Sequence, residues 1–362
     1  MIHITIGTKA QLIKMTPILF LLKKRGIAYN LIDLGQHSLI TGDLRDEFGL
    51  DAPRVCLSSG DNISTVAQGI SWLMGIFIRS LSSSWIREKV FLNKGGICLI
   101  HGDTASTLLG LYLAKRGGLK VAHVEAGLRS FCWSEPFPEE LIRIIAMRSS
   151  DLLFAPSKWA FENLSAMGLK NKSVLMPGNT GYETTRMSLS KAIDLHLGMK
   201  DFCLVTFHRM ENIYSRKRML FIIGLIEQIA RELPIVFVQH GSTINQLRKY
   251  KLLDRLEKME NRHYFRILSH SHFIHLLDTC RFVITDGGSI QEEAYYLGKP
   301  CLLLRKFTER DEGLNRNVVL SRFEEEKIRY FIRHSADFVQ PLVTGECGCI
   351  SGAIVDALEQ YV

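Results

Sequence analysis

Acidic and basic side chains cluster in one short part of the sequence, between residues 122 and 143. Glu125 follows directly on a short apolar run, and Arg129 comes four residues later, beyond a flexible Ala-Gly step. A helix that begins with proline is expected next, in which Glu139 and Arg143 are four residues apart and share one face. Partly buried carboxylates suit acid–base chemistry, and in open parallel sheets ligands bind at strand ends. A helix salt bridge beside a solvated loop is the alternative interpretation.

The apolar runs predict strands that alternate with helices along the whole chain. This alternation is typical of parallel β-α-β winding, so the expected fold class is α/β with doubly wound parallel sheets. Helices are expected over much of residues 63–91 and over 106–115, 290–297 and 350–361. The predicted strands cover residues 2–6, 28–34, 97–100, 151–155, 173–176, 202–206, 235–238, 282–285 and 301–304, together with the run that ends at Glu125.

Polar and flexible residues follow many of these strands at their carboxyl ends. Asp103 follows the strand at 97–100, and His208 follows the strand at 202–206. A glycine turn precedes the first helix, near Lys9 and Lys14, where backbone N–H groups can bind an anion. Each feature alone also fits a polar turn, a helix cap or a solvated surface, but their recurrence at the same end of the strands indicates a site.

The chain is long enough for two domains. A Pro-Gly-Asn-Thr-Gly segment begins a polar stretch, residues 177–200, that we interpret as a hinge. We therefore predict an N-terminal Rossmann-like domain at 1–182, with the terminal helix 350–362 packed back on it, and a C-terminal one at 183–349. Two such domains facing each other across a cleft would gather the polar strand ends into one site.

Composition and charge exclude several classes of protein. The net charge is +8 and the pI about 9.0, but no long Lys/Arg block occurs, which argues against a nucleic-acid partner and favours a pocket for anions. The longest apolar run, residues 70–78, is too short to span a bilayer, so no membrane insertion is expected. Because the sequence starts directly as a strand, we expect no signal peptide and a cytoplasmic location.

Eight cysteines lie among apolar neighbours, which predicts free, buried thiols. Cys347 and Cys349 are the one close pair, and no histidine stands beside them at ligand spacing. We therefore expect no metal site and no cofactor.

Six motifs in order along the chain resemble those of the UDP-N-acetylglucosamine 2-epimerase family, in its non-hydrolysing bacterial branch. The resemblance runs from Gly7 to about Val319. The motifs are G-T-x-x-x-x-I-K-M-x-P at 7–17, H-G-D-T at 101–104, H-V-E-A-G-L-R at 123–129, P-E-E-x-x-R at 138–143, H-R-x-E-N at 208–212, and Q-E-E-A-x-x-L-G-K-P at 291–300 followed by T-E-R at 308–310.

The resemblance implies a GT-B architecture, a homodimer, and interconversion of UDP-GlcNAc and UDP-ManNAc for surface polysaccharide synthesis. In that chemistry UDP is eliminated across C1 and C2 of the sugar and then added back with inverted C2. By resemblance, Asp103, Glu125 and Glu139 are the acid–base set, and His208 acts beside the diphosphate. The implied UDP-sugar-binding residues are Lys9, Lys14, Arg129, Arg143, Arg209, His240, Gly287, Gly288, Ser289, Glu292, Glu293 and Arg310.

Within this set the resemblance gives some residues narrower roles. Arg143 is expected to hold Glu139 ionised. Gly287 and Gly288 open a helix whose N-terminus can bind phosphate, and Glu293, or else its neighbour Glu292, is expected to bind the ribose hydroxyls.

Departures from the family pattern leave other functions open. The phosphate loop reads D-G-G-S where the family has D-S-G-G, and Lys9 stands where arginine is usual. The family's activator-binding G-Q-H retains Gln36 and His37, but not the residues after it. The alternatives are a hydrolysing epimerase, a GT-B glycosyltransferase and a nucleotide-sugar-binding regulator without catalysis.

Overall fold

The structure is a computed structural model. It describes residues 1–35, 38–57, 66–132, 138–195, 197–199, 201–259, 262–265, 268–344 and 349–361. The chain divides into two compact units. Unit 1 comprises Met1–Thr184 and Gly345–Val362, and unit 2 comprises Thr185–Thr344.

Unit 1 is built on a parallel sheet with strand order β3-β2-β1-β4-β5-β6-β7. The order reverses between β1 and β4, which makes the carboxyl ends of these two strands the expected ligand-binding edge. Every residue of β1 and β4 is buried, including His3 and Thr5 on one face of β1, as expected for a parallel sheet that is covered on both sides. The strands are β1 Ile2–Ile6, β2 Tyr29–Asp33, β3 Val55–Cys56, β4 Ile97–His101, β5 Lys120–Val124, β6 Leu152–Ala155 and β7 Ser173–Leu175.

The helices of unit 1 connect these strands. Thr104 caps α5, as its position before the helix predicts, in a reciprocal capping box with Thr107. A π-helical turn, Ile86–Val90, precedes β4. The helices are α1 Lys9–Lys24, α2 Ser38–Phe48, α3 Val66–Ser80, α4 Ser83–Trp85, α5 Ala105–Arg116, α6 Glu139–Ser149, α7 Lys158–Ala166 and α8 Thr180–Leu189.

Unit 2 is also built on a parallel sheet, with strand order β10-β9-β8-β11-β12-β13. Its order reverses between β8 and β11. The strands are β8 Cys203–Thr206, β9 Ile235–Val238, β10 Arg262–Phe265, β11 Phe282–Thr285, β12 Cys301–Leu303 and β13 Val318–Leu320. Its helices are α9 Met210–Ile213, α10 Arg216–Ala230, α11 Gly241–Lys249, α12 Leu253–Glu257, α13 His270–Thr279, α14 Gly288–Tyr296 and α15 Glu325–Arg333.

The last helix, α16 (Ile350–Glu359), belongs to unit 1. Arg25, which follows α1, donates to Asp356 at 2.5 Å and to Glu359 at 3.0 Å. Ser351 donates its backbone N–H to Glu183 at 3.0 Å. These contacts fasten both ends of α16 to the unit.

Helix α8, Thr180–Leu189, lies within the predicted hinge at 177–200, and the flexing of this stretch stays a prediction. This helix was not predicted because most of the side chains that it buries are small and polar, among them Thr184, Thr185 and Ser188. The boundary between the two units falls inside this helix. Strands β3, β10 and β13 were also not predicted, since they are only two to four residues long.

The expectation that all cysteines are buried is also wrong. Cys98, Cys203, Cys280 and Cys301 are buried, but Cys56 and Cys349 are exposed. Cys347 and the pair Gln36 and His37 lie outside the described residues. Among the helices that the structure describes, none is long and apolar enough to cross a bilayer.

Candidate active site

The first helix of unit 1 is fixed to the loop that carries Asp103. Thr8 caps α1 and accepts the backbone N–H of Gln11 at 3.3 Å. The Gln11 amide then donates to the carbonyl of His101 at 2.9 Å and to Thr104 at 3.0 Å. These bonds tie the N-terminus of α1 to the end of β4, at the point where the strand order reverses.

Glu125 lies just beyond β5 with a backbone φ of +67°, a left-handed conformation that is uncommon outside glycine. Its Oε1 accepts the ammonium of Lys14 and the Asn179 amide, the latter at 2.7 Å. The side chains of Lys14 and Glu125 are each only 5% exposed. The ammonium favours the charged form of this carboxylate, and the two partners fix its direction and leave it little exposed to water. Asn179 was not predicted, because it lies 54 residues from Glu125.

A second ionic group in unit 1 surrounds Asp103. Arg143 on α6 donates to Asp103, and its Nη1 lies 3.2 Å from Glu140. Arg129 donates to the other oxygen of Glu140 at 2.5 Å. Burial of Glu140 opposes ionisation, but bonds from Arg129 and the Ser130 N–H hold its pKa below the usual range. Asp103 is thus oriented by a guanidinium that is itself held by a buried carboxylate.

Glu140, which joins Arg129 to Arg143, was not identified from the sequence. The spacing of four residues favoured Glu139 as the partner of Arg143, but spacing of three is equally accessible on a helix. Glu139 begins α6 and is half-buried, while Glu140 is 1% exposed. The expected bond between Arg143 and Glu139 and the catalytic role of Glu139 stay predictions.

Two buried histidines lie behind these carboxylates. His123 bonds the Gly102 carbonyl at 2.8 Å and thereby pins the turn before Asp103. Nε2 of His101 lies 3.9 Å from Oε2 of Glu125, too far for a direct hydrogen bond. Burial lowers the pKa of His101 to about 4, and it also lowers the pKa of His123, so both rings are neutral at pH 7.

In unit 2, Asp286 fixes the loop that carries His208. Its buried carboxylate accepts the backbone N–H of His208 at 3.0 Å, the N–H of Arg209 at 3.0 Å and the Asn212 amide at 2.9 Å. Asp286 follows β11 and His208 follows β8, so the contact lies where the strand order of unit 2 reverses. Asp286 was missed as a site residue, because a polar residue after a strand also fits a turn.

His208 is held beside a second histidine. The rings of His208 and His240 lie 4.3 Å apart, and His240 bonds Thr206 at 3.2 Å. The Nδ1 atom of His208 is buried, although 38% of the side-chain surface remains exposed. Burial, followed by the charges of Arg209 and Arg305, lowers the pKa of His208 to about 4. A neutral imidazole therefore faces a positive neighbourhood.

The start of α14 is built to receive an anion. Gly287 is the N-cap and Gly288 the first helical residue. A Cβ on Gly288 would lie 2.7 Å from Nε of Arg310 and 3.0 Å from Oε1 of Glu309, so a side chain there would displace the charged groups. Ser289 follows, half-buried in the first turn.

Three guanidiniums surround this helix start. Arg305 bonds Glu309 at 2.8 Å, Arg209 lies 3.6 Å from the same carboxylate, and Arg310 bonds Glu292. Asp286, directly before Gly287, adds a third carboxylate, so the three guanidiniums face three negative charges. The N–H groups and the positive end of the helix dipole of α14 are therefore what suit phosphate here.

Glu312 adds little further negative charge near this helix start at neutral pH. Burial and the nearby charge of Glu292 raise the pKa of Glu312 to about 8, so its carboxyl is mostly protonated at pH 7. Glu293 is bonded to His270 at 3.1 Å rather than to an arginine. Lys9, the first residue of α1 in unit 1, is half-buried.

Each unit thus gathers one part of the predicted set. In unit 1 the structure joins Lys14 to Glu125, and Asp103 to Arg143. In unit 2 it gathers His208, Arg209 and His240 at the ends of β8 and β9, and Gly287, Gly288, Ser289, Glu292 and Glu293 along the first turns of α14. Arg310 joins this group through Glu292, and in unit 1 Arg129 bonds Glu140. The structural contacts add His101, Asn179, Glu140, Asp286, Arg305 and Glu309 to this set. The contacts of Asn179 and Asp286 cross 54 and 78 residues.

The sequence of this chain is similar to those of known proteins. A model of the UDP-N-acetylglucosamine 2-epimerase family matches residues 21–339. The chain is 32% identical to an enzyme of that name from Methanococcus maripaludis, over 87% of this chain and 86% of the relative. It is 31% identical to the one from Bacillus subtilis, over 89% and 83%.

Solved structures agree with the sequence relatives. The crystal structure of Methanocaldococcus jannaschii UDP-GlcNAc 2-epimerase in complex with UDP-GlcNAc and UDP is 28% identical, with a TM-score of 0.86 over 100% of this chain and 99% of that one. Both units are parallel α/β folds, and the architecture is GT-B-like. The chain belongs to the UDP-N-acetylglucosamine 2-epimerase family.

Proposed function

We propose that this chain is a non-hydrolysing epimerase that interconverts UDP-GlcNAc and UDP-ManNAc. A base removes the proton from C2 of the sugar, the C1–O bond to UDP breaks, and a 2-acetamidoglucal and UDP result. UDP then attacks C1 again, while a proton returns to C2 on the opposite face. No atom is gained or lost, so the net reaction is an isomerisation.

The observation that carries the proposal is the pair of oriented carboxylates in unit 1. Glu125 is held by Lys14 and Asn179, and Asp103 by Arg143, at the ends of neighbouring strands. Proton removal at C2 and proton return on the other face need two separately placed acid–base groups. We assign Asp103 and Glu125 to this set, with Glu139 as its third member.

Unit 2 supplies the groups for the nucleotide in this proposal. The N–H groups and the helix dipole at Gly287 and Gly288 suit the diphosphate, and neutral His208 can hydrogen-bond its oxygens without a full charge. Glu293 is assigned to the ribose hydroxyls. The related enzyme from M. jannaschii was crystallised with UDP-GlcNAc and UDP, which supports the same class of ligand here.

Incubation with UDP-GlcNAc, followed by proton NMR of the products, tests the proposal. We expect UDP-ManNAc; free N-acetylmannosamine with UDP would indicate the hydrolysing reaction, and unchanged substrate would contradict catalysis. Glu125→Gln should abolish turnover. The matched control is Asp51→Asn, which removes a carboxylate that is also paired with a lysine, Lys23 at 2.7 Å, but on the exposed surface.

We further infer a cytoplasmic homodimer that serves surface polysaccharide synthesis. One end of α3 and the residues after it present Met74, Phe77, Ile78 and Leu81, each 49–61% exposed, an apolar face that a second copy could cover. Light scattering should give twice the chain mass for the wild type. Ile78→Asp should shift it toward the mass of one chain; a wild-type mass of one chain contradicts the dimer.

A further inference from the structure

A buried chain of hydrogen bonds in unit 2 ends on Glu293. The hydroxyl of Ser188 lies 2.7 Å from Nδ1 of His270, and Nε2 of the same ring lies 3.1 Å from Oε1 of Glu293. The three residues are 0%, 3% and 7% exposed. Ser188 lies on α8, His270 begins α13 and Glu293 lies on α14, so three separate helices converge on one imidazole.

The direction of the bonds follows from donor chemistry. An ionised carboxylate can only accept, so Nε2 of His270 must carry the proton toward Glu293. When the ring is neutral, Nδ1 is then the acceptor and the Ser188 hydroxyl donates to it. Glu293 thus fixes the tautomer, and Ser188, at the other ring nitrogen, fixes the rotation of the ring.

The same three residue types form a nucleophilic triad in hydrolases, but this one is arranged differently. A nucleophilic serine must be accessible to substrate, whereas Ser188 is completely buried. The carboxylate keeps the accessible position, since 10% of the Glu293 side chain is exposed. The chain of hydrogen bonds thus runs from the buried Ser188 to Glu293, which is partly exposed.

We propose that His270 is a positioning residue for ligand recognition, which fixes one oxygen of the Glu293 carboxylate so that the other can accept hydroxyl groups of a bound ribose. The inference rests on the proposed function, in which Glu293 contacts the ribose of UDP. A glutamate side chain that is already fixed loses little conformational freedom when it binds. Without His270, the carboxylate would have to be ordered by the ligand itself.

The test compares two nucleotides on one set of variants by calorimetry. UDP and 2′,3′-dideoxy-UDP differ only in the ribose hydroxyls that Glu293 is proposed to receive. For the wild type we expect UDP to bind about tenfold more tightly, the size of one hydrogen bond to a charged group. In His270→Ala this preference should fall to about twofold or less, while the affinity for the dideoxy nucleotide stays unchanged. His270→Gln, whose amide can replace the Nε2–H donor, should restore part of the preference.

His272→Ala is the matched control, since His272 lies on the same helix and bonds Ser269 at 2.8 Å, but on the surface. It should keep the full preference for UDP. Circular dichroism checks that each variant is folded, and His270→Gln tests the inference if His270→Ala unfolds.

The outcomes separate the inference from the function on which it rests. If Glu293→Ala loses the preference but folded His270→Ala keeps it, the positioning role is wrong and the proposed nucleotide site stands. Equal weakening of both nucleotides in His270→Ala would mean a structural role and would likewise contradict the inference. If the wild type binds neither nucleotide, the proposed function itself fails, and the inference with it.

Discussion

Lys14 and Glu125, which are 111 residues apart in sequence, form an ion pair that is almost completely buried. The ammonium comes from the second turn of α1 and the carboxylate from the residue after β5. Asn179 donates to the same oxygen of Glu125, so its other oxygen is the one directed toward His101. Burying a lone carboxylate would cost several kcal/mol of desolvation free energy, and the paired ammonium offsets much of that cost.

Lys14→Met should destabilise the protein strongly, because it leaves the Glu125 carboxylate buried and without its cation. We expect a loss of about 3–5 kcal/mol in the free energy of unfolding. Lys14→Met with Glu125→Gln should recover most of that loss, as measured by denaturant unfolding. Lys23→Met, which breaks the exposed pair with Asp51, should cost less than about 1 kcal/mol. Strict additivity of the two buried changes would contradict the coupling.

Asp103→Asn should lower kcat at least about 100-fold while the protein remains folded, because it removes an acid–base group. Arg143→Gln should produce a smaller loss, since it releases Asp103 without removing it. Steady-state kinetics with UDP-GlcNAc measures both. A fully active Asp103→Asn would remove Asp103 from the mechanism.

Acid should destabilise the protein through His101. Burial lowers the pKa of His101 to about 4, whereas it is near 6.5 when the chain is unfolded. Between these values the unfolded state binds the proton and the folded state does not, so stability falls as the pH falls from 6.5 to 4. The contribution of this group is about 3 kcal/mol. Denaturant unfolding across that range should show a shallower fall in His101→Gln, and an identical slope would contradict the assignment.

Alkali should act on Glu312 in the opposite direction. Burial raises the pKa of Glu312 to about 8 from 4.5, so the folded state holds a proton that the unfolded state has lost. Stability therefore falls as the pH rises from 4.5 to 8. Glu312→Gln should be more stable than the wild type at pH 9 by about 1–3 kcal/mol, the cost of an unsatisfied buried group. Glu326→Gln, on the exposed face of α15, should show no such gain.

Most of the strands and the fold class could be predicted from the sequence, because the buried strands are rich in Ile, Leu, Val and Phe. Ile2–Ile6, Ile97–His101 and Phe282–Thr285 were found within about one residue of their bounds. Helix α8 was missed, since pairs of buried threonines carry no apolar period. Sequence patterns identify helices by the apolar side chains that they bury. Helix α8 instead buries polar side chains, whose hydrogen-bond partners are known only once the chain is folded.

The candidate site was predictable as a set of residue types but not as a set of contacts. Motifs gave Asp103, Glu125 and His208, because each follows a strand. Nothing in the spacing gave Asp286, whose bonds to the His208 loop cross 78 residues, or Glu140, which spacing alone could not separate from Glu139. Partners of this kind depend on sheet order, and they become visible only when the strands are placed side by side.

Deuterium incorporation at C2 of the sugar tests the central claim most directly. The protein is incubated with UDP-GlcNAc in D2O, and the C2 proton signal of both UDP-sugars is followed by NMR. If a carboxylate removes that proton and solvent exchanges with it, UDP-ManNAc should carry deuterium at C2, and Glu125→Gln should stop the incorporation. UDP-ManNAc that retains its original hydrogen at C2 would contradict the elimination and re-addition of UDP.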